Sequence, residues 1–481
     1  MLATWLILLP LAGALVVAIL PLPRLVTGGL AFLVALIEVG LWIVAVSRFD
    51  FDGEDVQLGT SEEWVESLGI SYTVGFYGFS LWLAGVTVVV MAAAIGYALW
   101  VGRRDRARGY HALMLFLTGA IVATFAAQDL LLFYVAFEAM LIPLYVLIGV
   151  WGGERRAAAT LTFVVYTMAG SLLMLASVVA FGVTQDTFSL VDSGTSDNEW
   201  IFLGFAIAFA VKAPLFPFHG WLPLSYREAP VEVAAVLSGV VSKTAVYGFL
   251  VIVLAKFPEP VDDFTTLVLV LSGAALVYGS VLAFRAPDLR GIVAYSSLAQ
   301  MGLITLGLFA FNDLGLDGAV LLSVAHALVS TTMFLLVGTV ERRCGTGDLA
   351  ALGGMARGRP VLATVLLVAG MIALAVPGST TFAGEFLIMA GVYEEGWGYA
   401  AVVALGIVLA AMYVLRLISA VLHVRPGPAA REEALDLRPG ELALVLPLIA
   451  CLIALSVWPA VVSESSFPND EPTRALSEAS P

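Results

Sequence analysis

The stretch Val211–Pro223, VKAPLFPFHGWLP, follows directly on the apolar run IFLGFAIAFA and decides how the chain is read. A segment so greasy gains nothing from Lys212, nor from Pro214 and Pro217, which each remove a backbone donor and break a helix. In lipid, such a break is tolerated only where the freed carbonyls meet protein or water. The stretch therefore reads as a discontinuous membrane helix lining a hydrated cavity, with Lys212 at the break.

The rest of the chain supports a membrane setting. Of its 481 residues, 60% are hydrophobic and only 12% are charged, against about 25% charged in a soluble domain. Apolar runs of spanning length recur throughout. They predict an all-α polytopic membrane protein of fourteen helices, near 2–20, 25–47, 73–102, 109–127, 130–150, 156–183, 200–222, 231–255, 264–284, 291–311, 318–341, 360–393, 397–424 and 441–462. The first run has neither a basic start nor a convincing cleavage site and reads as a retained helix. The longest loop, 48–72, is too short to predict an independent domain.

Charge orients the bundle. Arg24, Arg103, Arg104, Arg106, Arg108, Arg155, Arg156, Arg227, Arg285, Arg290, Arg342, Arg343, Arg357, Arg359, Arg425, Arg431 and Arg438 fall on one side. Only Arg48, Lys256 and Arg474 fall on the other. Excess Lys/Arg marks the cytoplasmic side, so both termini are expected outside. The net charge of −14 then belongs mostly to a solvated outer surface, the loop DFDGEDVQLGTSEEWVE and the tail from Glu464. Cys344 and Cys451 are far apart, and no CxxC, Walker loop or dinucleotide fingerprint occurs. Redox or nucleotide chemistry, if the protein takes part in any, is expected in other chains.

Several chargeable residues lie where lipid penalises them by at least ~2.5–3.5 kcal/mol. Glu138 and His326 sit roughly 12 Å into their spans, and Lys212 and Lys243 roughly 18 Å, at about 1.5 Å per residue. Glu385 follows a second interruption, AVPGSTTFAGEF, with Pro377, Gly378 and Gly384. These groups form a layer, which suits charges that act sideways from helix to helix. The bland alternative is packing, since desolvation often cancels the stabilisation of a buried ion pair. Glu38 reads as a satisfied buried acid, Arg416 as a snorkelling side chain, and His111, His219 and His423 as interfacial.

The two breaks lie five spans apart, and paired interruptions point to an internally repeated transporter. Because five is odd, the second copy inserts upside down. The predicted organisation is an N-terminal unit, 1–108, with an external acidic loop; two inverted five-helix repeats, 109–256 and 257–424, each with one broken helix; and a last span with an acidic tail, 425–481.

The motifs FYVAFEAMLIPLYVLIGVWGG, VKAPLFPFHGWLP, VVSKTAVYG, IVAYSSLAQMG, AHALVSTTMFLLVG and VPGSTTFAGEF resemble the antiporter-like membrane subunits of respiratory complex I, the bacterial NADH–quinone oxidoreductase. An acid at Glu385, together with a chain too short for an extended lateral helix, makes the M-type branch the nearest in kind. The resemblance spans about residues 70–460. It implies proton translocation through Glu138, Lys212, Lys243, His326 and Glu385, in a bacterial plasma membrane. Antiporter-like neighbours are implied on both sides, with NADH, flavin, iron–sulfur clusters and quinone held by other subunits. Two positions depart from the family pattern. Gln300 stands where histidine is common, and Leu224 and Tyr226 where an acid and a histidine often sit. The rival readings are a D-type subunit of a multisubunit sodium/proton antiporter and a scaffold whose charges only fix packing.

Overall fold

A computed structural model describes residues 1–53, 56–65, 70–102, 106–430 and 436–467. Arg103, Arg104, Arg431 and Arg474, parts of the acidic loop and most of the acidic tail lie outside the described residues. The chain folds almost wholly as helices. Among the described residues, twelve are long and apolar enough to cross a membrane. The two remaining expected spans, 200–222 and 360–393, are the interrupted pair.

Burial sorts the helices by place. Val231–Leu254 and Asp313–Cys344 are buried along their whole apolar windows and form the centre, with Gly78–Val101 and Leu289–Phe309 nearly as enclosed. Around them, Leu2–Ile19, Arg24–Arg48, Arg156–Gln185, Pro258–Arg285 and Trp397–Leu422 bury one side only. Their outward faces carry exposed Leu33, Leu161, Val183, Leu267 and Val408. A helix apolar all round is a buried or membrane helix, and exposed rows of this kind suit a lipid surround.

Both interruptions occur where proline and glycine dictate. Glu199–Lys212 ends at Ala213, and the chain resumes as a short 3₁₀ turn, Phe218–Trp221, and a helix, Leu222–Glu228. The Val211 carbonyl freed by the break accepts a 2.9 Å bond from the Trp221 indole N–H, and the Ala210 carbonyl accepts from Leu215 N–H at 2.8 Å. Pro360–Ala373 ends similarly, with Ala375 (φ 55°) and Gly378 (φ 93°) in the left-handed region. Ser379 then caps Thr380–Glu395 by accepting from Phe382 N–H. That helix lies almost backbone to backbone against Asp313–Cys344. A Cβ on Gly391 would come within 2.6 Å of the Gly315 nitrogen, so only glycine lets the two helices meet.

Three features were not foreseen. The span expected over 130–150 is interrupted at Met140, between Leu130–Ala139 and Leu141–Trp151. Pro143, with no N–H to offer one turn back, accounts for it. Val231–Leu254 contains two wide π turns, Leu237–Val241 and Phe249–Leu254. The loop after Arg48 carries an antiparallel hairpin, Gln57–Val65 with Ile70–Phe76, in which Thr60 opposes Val74. The membrane helices support it: Gln128 N–H bonds Thr73 O at 2.9 Å, and the Met1 ammonium donates to Gly59 O at 2.6 Å.

Candidate functional site

Lys243 sits between the two π turns. In the first of them Ser242 N–H reaches Leu237 O, five residues back, at 3.3 Å. Such widened turns are rare and recur at functional sites. The side chain is fully buried. Its Nζ donates to Ser238 O at 3.0 Å and Ser242 Oγ at 3.2 Å, and lies 2.6 Å from His326 Nδ1. An ammonium has three protons to place, and these three acceptors take them. A charged Lys243 therefore fixes neutral His326 as the tautomer with its proton on Nε2.

His326 also lines a small cavity of about 40 Å³, together with Ser296, Gln300, Ser330, Thr381 and Tyr413. A site needs only ~10–15 Å³ of such volume to hold a water. Gln300 Nε2 donates to Glu385 Oε1 at 3.0 Å. Gln300 Oε1, Glu385 Oε2 and Thr381 Oγ1 are buried without a protein partner. Orphan polar atoms beside a water-sized space are what ordered water normally satisfies.

Lys212 forms a second group. It ends Glu199–Lys212, where a cation complements the helix dipole. Its Nζ lies 4.4 Å from the centre of the Phe137 ring, a cation–π contact. The half-buried Glu138, next in sequence to Phe137, acts on Lys212 by charge without a direct ion pair. Thus Lys243, His326, Gln300 and Glu385 form one series, and Glu138 with Lys212 another. Among the described residues, no hydrogen bond joins the two.

The other sequence candidates fall out differently. Glu38 is buried with both carboxylate oxygens unpartnered, so it is not a satisfied acid. Arg416 does not snorkel free. Its guanidinium donates to the carbonyls of Phe284 and Ala286, at 2.5 and 2.8 Å, and ties two helices. His111 is buried rather than interfacial, against the positions of Gly28 and Tyr110. His219 is half-buried and stacks on Phe216, and His423 is exposed at a helix end. Sequence reading missed Glu232, a buried acid two residues after Pro230 whose Oε1 accepts from the Tyr110 hydroxyl at 2.6 Å. It also missed that the buried hydroxyls of Ser297 and Ser330 each meet that of Ser238 at 2.5 Å from three different helices; singly, a small polar residue in an apolar helix carries little signal.

Residues 127–412, which hold every member of both groups, match the membrane-spanning family described as NADH:quinone oxidoreductase/Mrp antiporter. The chain belongs to this family. Within the NADH:quinone oxidoreductase/Mrp antiporter family it is similar over nearly its whole length to NADH-quinone oxidoreductase subunit M of Rhodobacter capsulatus. The two are 32% identical over 484 residues, covering 96% of this chain and 94% of the relative. NADH-ubiquinone oxidoreductase chain 4 of Arabidopsis thaliana is 34% identical, covering 95% of this chain and 93% of the relative. Among solved structures, a chain of respiratory complex I from Thermus thermophilus with bound NADH superposes with a TM-score of 0.90 at 29% identity. That match covers 99% of this chain and 100% of the other.

Proposed function

We propose that this chain is a proton-translocating membrane subunit of NADH–quinone oxidoreductase. It carries no electrons itself and moves protons when redox chemistry in other subunits drives it. The observation that carries this reading is the buried series Lys243–His326–Gln300–Glu385 beside a water-sized cavity. Its partners are the other membrane subunits, with antiporter-like neighbours on both sides. Its place is a bacterial plasma membrane with both termini outside. The two interrupted helices are the matching elements of inverted repeats, 109–256 and 257–424.

The chemistry follows from proton inventory. Lys243 passes a proton along its 2.6 Å contact to His326 Nδ1. His326 then releases its other proton, from Nε2, to water in the cavity. Gln300 cannot carry that proton as an imidazole would, so water bridges past it to Glu385. Glu138 and Lys212 set the timing. Two charges ~4 Å apart interact by ~4 kcal/mol at an effective dielectric of about 20, or roughly a thousandfold in proton affinity. Drawing Glu138 toward Lys212 holds the lysine's proton, and separating them frees it toward Lys243.

Lys243→Arg tests the reading, because arginine keeps the charge and does not deprotonate. An assembled Lys243→Arg complex should oxidise NADH with little or no proton pumping, and undiminished pumping would overturn the proposal. Similarity to NADH dehydrogenase subunits along nearly the whole chain favours this role over a sodium/proton antiporter subunit. Sodium-dependent transport without a copurifying NADH dehydrogenase would reverse that preference.

A further inference from the structure

Three buried oxygens from two helices stand without a protein partner at one place: Gln300 Oε1, Glu385 Oε2 and Thr381 Oγ1. Gln300 and Thr381 line the cavity of about 40 Å³ that His326 also lines. Gln300 Nε2 ties the set to Glu385 Oε1 at 3.0 Å. That bond fixes the amide, because a flipped Gln300 would set its oxygen against the carboxylate. Thr381 and Glu385 are four residues apart on Thr380–Glu395 and share a face.

The break before this helix explains why Thr381 is open. Other buried threonines, such as Thr305 and Thr332, donate to the carbonyl four residues back, at 2.8 and 2.7 Å. For Thr381 the residue four back is Pro377, outside the helix. The break also sets the local field. Pro360–Ala373 ends with Ala373 in the cavity wall, which brings the negative end of its dipole to the site. The opposing N–H groups of Thr380 and Phe382 are taken by the hydroxyls of Ser456 and Ser379. Interrupted helices of transporters hold cations at such half-helix ends.

We propose that Gln300, Thr381 and Glu385 bind a sodium ion, which takes the water position between His326 and Glu385 and stops the proton step there. The site stands on the geometry; its effect on pumping rests on the proton-translocation reading above.

The donors choose the ligand class. A carboxylate, an amide oxygen and a hydroxyl suit a hard cation. One carboxylate balances one positive charge, and a divalent ion would leave net charge buried. Three protein oxygens with a water or two make a small shell that suits Na⁺, whereas K⁺ is held by whole rings of carbonyls. A histidine at position 300, common in the chains this one resembles, would offer no oxygen. While Lys243 is charged, His326 is neutral and does not repel the ion. Once Na⁺ is bound, like-charge repulsion keeps His326 from taking the proton of Lys243.

The test uses the intact complex in sealed vesicles, with NaCl or KCl at one ionic strength on both sides. Na⁺ should slow NADH-driven pumping where K⁺ does not, each variant being compared with its own rate in K⁺. Thr381→Val keeps the shape and removes one oxygen, so the half-inhibitory Na⁺ concentration should rise about tenfold. Thr381→Ser keeps the oxygen and should respond like the parent. Equal slowing by Na⁺ and K⁺, or a Thr381→Val complex as sensitive to Na⁺ as the parent, overturns the proposal. Should Thr381→Val not assemble, Gln300→His, which removes the amide oxygen, decides on the same criteria. Equilibrium binding of radioactive sodium to the purified complex separates the two claims. Binding that Thr381→Val weakens, with pumping indifferent to Na⁺, keeps the site and sinks the proton route through Glu385. Binding that Thr381→Val leaves unchanged, or no binding, sinks the site and leaves the translocation reading standing.

Discussion

Lys243 and His326, 83 residues apart in sequence, meet at 2.6 Å between Nζ and Nδ1 in the centre of the bundle. The two helices that bring them together are the ones buried along their whole apolar windows. In the mechanism proposed above, a contact this short between two buried titratable groups is the step to test first.

His326→Gln tests that step. The glutamine carbonyl can still accept from Lys243, so packing and hydrogen bonding are largely kept, but no second nitrogen can release a proton to the cavity. Removing a positioned proton-transfer group typically costs 10²–10⁴-fold. Pumping by the assembled complex should fall by about 10²-fold, while the amount of complex in the membrane stays near wild type.

Gln300 gives a paired experiment. Its Nε2 is the hydrogen-bond partner of Glu385 Oε1, and its own Oε1 is unpartnered. Gln300→Leu should strand a buried carboxyl and destabilise the protein by about 1–3 kcal/mol, seen as a lower unfolding temperature with slower pumping. Gln300→His places an imidazole between His326 and Glu385 and should pump at least as fast as the parent. A drop in Gln300→His comparable to that in Gln300→Leu would mean that the amide itself is required.

How far the sequence could take the reading depended on the kind of signal. Spans were legible because an apolar run of bilayer length has few alternatives. Both breaks were legible because Pro214, Pro217, Pro377 and Gly378 act on the backbone locally. Lys212, Lys243 and Glu385 stood out because charge is expensive in lipid. The π turns around Lys243 left no mark, since no residue type encodes them. The serine cluster was invisible for another reason: its meaning lies in three helices converging, and each serine alone is ordinary. Arg416 misled because its partners are backbone carbonyls of another helix, which sequence cannot display.

Lys256, at the arginine-poor end of the central helix, gives a pH test outside the membrane spans. It is buried and donates to Ser193 O at 2.7 Å. Burial pulls its pKa down from 10.5 to about 8, with the charge of Asp192 opposing the shift. The folded state therefore binds this proton less tightly than the unfolded chain. Below about pH 8 both states are protonated and the cost of the buried charge is fully present; stability then rises with pH up to about 10.5 and levels off. Replacing Lys256 with methionine removes that dependence. Thermal unfolding of detergent-solubilised parent and Lys256→Met should show a stability difference that changes by on the order of 3 kcal/mol across this window, and a constant difference would rule out the assignment.

Trp221 shows how the first break is held, and Trp221→Phe isolates its hydrogen bond. The indole is buried against Phe163 and Tyr226, and its N–H caps the Val211 carbonyl, one residue before Lys212. Phenylalanine keeps most of the aromatic packing and leaves that carbonyl without its donor. A buried orphan carbonyl costs about 1–3 kcal/mol, which should appear as a lower unfolding temperature. The carbonyl can recover a partner only if water enters or the turn rewinds, and either shifts the end of the helix that carries Lys212. Pumping should therefore slow in Trp221→Phe by more than in Phe163→Leu, which disturbs the same aromatic contact and leaves the capping bond in place. Equal losses in the two variants would assign Trp221 to packing alone.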